Sequence, residues 1–149
     1  MLKKELDLDI TPNFMAYNID EIEGIGQAYA QKLQAHQIGT TIDLLEKGSS
    51  KKGRQQIAED TGISESQILK WVNHADLFRI KGVAGQFAEL LEAAGVDTVK
   101  EFATRNAENL HAKLVETNEK SNLSGRVPSV ESLKEMISHA KTLEAKITY

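Results

Sequence analysis

Two short stretches hold the residues best suited to chemistry. Ile22-Glu23-Gly24-Ile25-Gly26-Gln27 and Ile80-Lys81-Gly82-Val83-Ala84-Gly85-Gln86 each set an apolar residue among small ones at what must be a tight corner. Glycine permits the left-handed backbone such a corner needs, and the apolar residue can plug a core. A helix starting directly after the corner presents unpaired amides, a concavity that attracts a phosphate oxygen. Gly24, Ile25, Gly26, Gln27, Gly82, Val83, Gly85 and Gln86 are therefore candidate contacts to a nucleic-acid backbone, with Lys32, Arg54, Arg79 and Lys81 as the cations beside them. The same spacing also suits a turn that only joins two helices, and both readings stand at this point.

The corners are unequal. Asp20, Glu21 and Glu23 crowd the first, where like charge repels phosphate, and Gln27 follows its second glycine. Arg79 and Lys81 make the approach to the second basic, but Ala84 replaces its second glycine and Gly85 comes one place later. Residues 1–76 carry 8 basic and 12 acidic side chains, the remainder 10 of each. Lys51-Lys52-Gly53-Arg54 either extends a phosphate-contacting surface or forms a solvated helix start.

Other chemistry finds less material. His74 and His139 suggest a metal, yet apart from Glu135 no further ligand stands near either at helical spacing, so no metal site is expected. Asp97 precedes the helix cap expected at Thr98 and suits a turn. No Ser-His-Asp order, phosphate-binding P-loop or carboxylate pair points to catalysis, and no cofactor is expected. The absence of cysteine excludes disulfides, thiolate zinc, cysteine-held iron–sulfur clusters and a cysteine nucleophile. A net charge of −4 leaves any nucleic-acid contact to a local patch. No apolar run is long enough to span a bilayer and Met1 to Asp7 lacks a signal-peptide core, so the 149-residue chain is expected to be cytoplasmic, with no membrane partner.

An internal repeat must position these residues. Ile22, Ile25, Tyr29, Leu33 and Ile38 return 58 positions later as Ile80, Val83, Phe87, Leu91 and Val96. Thr41-Ile42 then aligns with Thr98-Val99, and Leu45 with Phe102; Ser49 aligns with Asn106 as a helix N-cap, and Ile57 with Leu114. Ile68, Trp71, Val72, His74, Ala75 and Phe78 return 65 positions later as Leu133, Met136, Ile137, His139, Ala140 and Leu143. The wider offset places an inserted polar loop near residues 117–128. Ser64 with Gln67, and Thr98 with Glu101, mark helix starts; Gly62 and Gly95 mark helix ends. A helix over about 65–78 turns Ile68, Trp71, Val72, Ala75 and Phe78 to one side, and its counterpart does the same, so the joint core is expected there, with Trp71 and Met136 packing. The expected fold is all-α, one compact domain over 1–149, with repeat 1 at 18–78 and repeat 2 at 79–144. Residues 1–17 and 147–149 lie outside the repeat and either pack over it or fray.

Gly24, Gly26 and Ala30 match the pattern of the helix-hairpin-helix motif, which the first corner resembles. That resemblance implies sequence-independent contact with duplex DNA, weakened by salt, and, for any ion, a monovalent cation on the corner carbonyls. Gln27 in place of a basic residue, and Ala84 in place of glycine, depart from the pattern. Nearly the whole chain resembles a bacterial family of tandem helix-hairpin-helix-like repeats of unknown function. Ile22 to Gly26, Thr61-Gly62-Ile63-Ser64, Leu69-Lys70-Trp71-Val72, Ala75-Asp76-Leu77, Arg79 to Val83, Leu91 to Val99 and Asn109 to Lys113 carry that likeness. Some relatives bear names implying a ferredoxin, a reading the missing cysteines exclude here. Two functions follow: a non-catalytic module touching duplex nucleic acid, or an adaptor for a protein partner in which the corners serve structure alone.

Overall fold

The computed structural model describes residues 17–149, whose regular structure is all helical apart from one isolated backbone bridge between Asn18 and Thr40. After a single 3-10 turn at Ile19–Glu21 come α1 (Gln27–Gln34), α2 (Thr41–Gly48), α3 (Lys51–Thr61), α4 (Glu65–Leu77), α5 (Gly85–Ala93), α6 (Val99–Ala103), α7 (Ala107–Ser121) and α8 (Val130–Lys141). No helix among the described residues is long and apolar enough to cross a membrane.

Short polar side chains set most of the helix starts. Thr40, Ser50, Ser64, Thr98, Asn106 and Ser129 each accept the amide three residues on, which satisfies one of the orphan donors of the first turn. At Thr40 the exchange is reciprocal, because Asp43 Oδ2 accepts the Thr40 amide at 3.1 Å. Two expected positions move by one residue. The cap opposite Thr98 is Thr40 and not Thr41, and the cap of α3 is Ser50, while Ser49 closes α2. A hydroxyl can cap only from the last extended residue before the helix, and sequence spacing leaves neighbouring Ser and Thr residues equivalent in that respect.

Local geometry recurs 58 residues along the chain. Gly24 and Gly82 have φ of +94° and +95°, and the Ile25 and Val83 amides donate to Ile22 O and Ile80 O, both at 3.1 Å. Further on, Ile38 N donates to Leu33 O and Val96 N to Leu91 O. The α4 stripe is buried from Ile68 to Phe78 as expected; on α8, Leu133, Ile137 and Ala140 are buried while Met136 and Leu143 are half-buried against the same core. The helix that ends at Leu77 passes straight into the second corner through Phe78, Arg79 and Ile80, all fully enclosed. Residues 147–149 pack against the first half of the chain, whereas the expectation for residues 1–16 lies outside the described residues.

Candidate recognition surface at the glycine corners

Each corner is closed from below by the helix that ends its half of the chain. A methyl group built on Gly24 would stand 3.5 Å from Trp71 Nε1, and one on Gly82 would stand 3.0 Å from Met136 Cε. Trp71 and Met136 are thus matched residues under matched turns. Tyr29 packs its edge on Trp71 with ring centres 5.1 Å apart. The indole N–H is buried and has no hydrogen-bond partner among the described residues.

Beyond the corners, α1 and α5 start differently from the other six helices. Gly26 and Ala84, both in extended backbone, have no side chain able to accept an amide, so the first amides of both helices stay uncapped. Around Gly26 the space is open, while the second corner is closed in by the first. A methyl group on Gly85 would lie 2.6 Å from Glu21 O and 3.4 Å from Glu23 Oε1. The displaced glycine of the second corner is explained by this crossing: Gly85 is the residue on which the first corner rests. A carboxylate of the protein itself therefore stands at the start of α5, where a phosphate would have to approach.

The predicted contact residues divide accordingly. Gly24, Gly26, Gln27 and Lys32 are exposed at the first corner; Lys81, Gly82 and Gln86 are exposed at the second, and Ile25, Val83 and Gly85 are buried. Arg54 and Arg79, expected as cations beside the corners, are not exposed there with Lys81. Arg54, 4% exposed, donates to Gly48 O at 2.8 Å and to Thr148 O at 2.7 Å. Arg79, 2% exposed, donates to Asp76 Oδ1 through Nε and Nη2, at 3.0 and 2.6 Å, and to Glu144 O at 2.8 Å. Both guanidinium groups satisfy buried acceptors, and neither is presented to a ligand. Glu21 and Glu23, which crowd the first corner, also line the space beside the second.

Three features were missed in the sequence. Asp76 is buried beside Arg79, and its other oxygen accepts Val99 N at 2.8 Å at the start of α6. Burial raises its pKa above the ordinary aspartate value, against the opposing pull of Arg79 and the Val99 amide. His74 is fully buried and its Nε2 meets Glu92 Oε1 at 3.2 Å, while His139, 65 positions further on, accepts the Lys81 amide at Nδ1. The hydrogen bond from His74 holds the Glu92 carboxyl below its usual pKa, against desolvation, and Lys70 adds to the same effect. Among the described residues no group of three or more His, Asp or Glu is set to hold a metal ion.

The third is a groove of about 570 Å³ where the corners meet. Glu21 and Glu23 form one wall, Gly82 and Ala84 to Phe87 another, and Ser124, Arg126, Pro128 and Ser129 the third, with Met136 in the lining. The third wall belongs to the connection between α7 and α8, where the sequence places the inserted loop. Its excess length was visible in the sequence; its position beside both corners was not.

An all-helical chain with paired glycine corners and a mixed-charge groove between them is the class this geometry defines. The chain belongs to the family described as a domain of unknown function, DUF4332, whose model matches residues 23–143. No curated protein and no solved structure matches it.

Proposed function

We propose that the chain is a non-catalytic binding module of two helix-hairpin-helix-like units, and that it acts as a protein-interaction adaptor. The recurrence of φ, corner hydrogen bonds and covering residue 58 and 65 positions apart supports the two-unit reading. The observation that carries the adaptor is the groove, where Glu21 and Glu23 on one wall and Arg126 on another accompany the uncapped amides of α5. A helix N-terminus attracts an anion by about 0.3–1 kcal/mol. A carboxylate some 6 Å from a phosphate opposes it by about 0.7 kcal/mol even in water. Glu21 and Glu23 together offset the attraction of the helix start for phosphate, whereas a polypeptide offers carbonyls to the amides, a Lys or Arg side chain to the glutamates and a carboxylate to Arg126. Phe87 and Met136 supply apolar footing for the stem of such a side chain.

The test is photo-crosslinking from position 86 in nuclease-treated extract, with and without Glu23→Lys. A discrete protein adduct that the charge reversal abolishes, with helicity unchanged, is the expected result. Adducts that are unaffected by Glu23→Lys, or none at all, overturn the adaptor.

The second reading, contact with a nucleic-acid backbone, is favoured by one observation: α1 is uncapped, Gly26 is unobstructed, and Lys32 is exposed on the same helix. It requires binding to long duplex at low ionic strength that falls as salt rises. Absence of a complex at low salt removes it.

A further inference from the structure

We propose that the groove between the corners takes an extended segment of a partner protein in which a lysine or arginine stands directly beside an aspartate or glutamate, the cation meeting Glu21 and Glu23 and the anion meeting Arg126. This rests on the adaptor reading and names the chemistry of its partner. The lining carries both signs on separate walls. The charges do not meet across the space: among the described residues none of Glu21, Glu23 and Arg126 is in a salt bridge, although other exposed side chains do pair, as Lys113 with Glu116 and Lys134 with Glu131. An occupant that brings one charge of each sign suits both walls at once, whereas one that brings a single sign is attracted by one wall and repelled by the other.

Arg126 stands on a wall that is already in place. The Asn118 side chain donates to Ser124 O and accepts from Ser124 N, both at 3.0 Å, and Ser124 Oγ donates to Arg126 O at 2.9 Å. Beyond Arg126, Ser129 caps α8. The connection is thus tied to α7 at one end and to α8 at the other, so docking requires little further ordering of its main chain. The first turn of α5 adds uncapped amides to the same lining. A helical segment uses its carbonyls internally, whereas an extended one leaves them for these amides. Extended backbone also sends successive side chains to opposite sides and residues two apart to the same side. Neighbours in sequence therefore reach separate walls from one short stretch, which makes the adjacent pair of opposite charges the recognised unit.

The test titrates the isotope-labelled full chain with N-acetylated, amidated peptides and follows the Gln86, Phe87 and Arg126 amide signals by NMR. The probe is Ser-Ala-Arg-Glu-Ala-Ser; its controls replace Arg-Glu by Arg-Gln, by Gln-Glu, or by Arg-Ala-Glu. The probe should bind about threefold or more tighter than each control, the scale of one exposed charge pair. Arg126→Glu should remove its advantage over Arg-Gln, and Glu23→Lys its advantage over Gln-Glu, with the helicity of both variants unchanged. Equal binding of all the peptides, no shift from any of them at millimolar concentration, or an advantage over Arg-Gln that survives Arg126→Glu overturns the proposal. If the adduct from position 86 persists alongside such a result, the adaptor stands and only this partner chemistry falls; if the adduct is missing as well, both fall.

Discussion

Three glycines at the corners look alike in the sequence and should respond differently to alanine. At Gly85 the new methyl would lie 2.6 Å from the Glu21 carbonyl oxygen, backbone against backbone, so the corners must part by several tenths of an ångström. Overpacking of this kind costs about 1–3 kcal/mol, and alanine's better helix propensity returns up to about 1. A net loss of about 1–2 kcal/mol is expected, which lowers the melting temperature by about 2–8 °C in a domain of this size. Gly24 fails for another reason: its φ of +94° costs a residue with a Cβ about 1–2 kcal/mol, although the nearest atom is 3.5 Å away. Gly26 has φ of −83° and no atom within 4 Å of where the methyl would stand, so alanine there should be neutral or stabilise by about 0.4–1 kcal/mol through the unfolded chain. Urea unfolding followed by the fluorescence of Trp71, the chain's one tryptophan, reads all three. If Gly85→Ala keeps the parent's stability while Gly26→Ala loses it, the corner-on-corner contact is wrong.

Other outcomes follow from the buried polar groups and the groove. Asp76→Asn keeps an acceptor for Val99 N but leaves the enclosed Arg79 without its counter-charge, so a loss of about 3–5 kcal/mol is expected in the same urea assay. Glu92 has a folded pKa below its ordinary 4.5, so its contribution to stability is present above that pH and is lost as pH falls through the folded value. The stability gap between the parent and Glu92→Gln should therefore narrow from about pH 5.5 towards pH 3; a gap that widens on acidification contradicts the assignment. Glu21→Lys combined with Glu23→Lys should create duplex binding at low salt where the parent has little, and a gel shift unchanged from the parent would show that these carboxylates do not guard the corner.

Local rules made much of the architecture legible. The corners, the left-handed glycines and the starts of α4 and α6 depend on residues within four or five positions of one another, so spacing alone located them. The 3.6-residue period likewise placed Trp71 and Ile137 in the core. Where two adjacent residues could both cap, as at Thr40 and Thr41 or Ser49 and Ser50, the sequence was one residue short of the answer.

Only tertiary structure decided the fate of the charges. Arg54 meets a carbonyl 94 residues away and Arg79 one 65 residues away, pairings that no periodicity encodes. A guanidinium reads as a surface cation until the fold supplies buried acceptors for it, because a residue's type carries its charge but not the solvent it loses. Gly85 is the counterpart in packing: its place in the chain looks like a slipped motif, and its reason is a carbonyl from the other corner that arrives only when the two halves close.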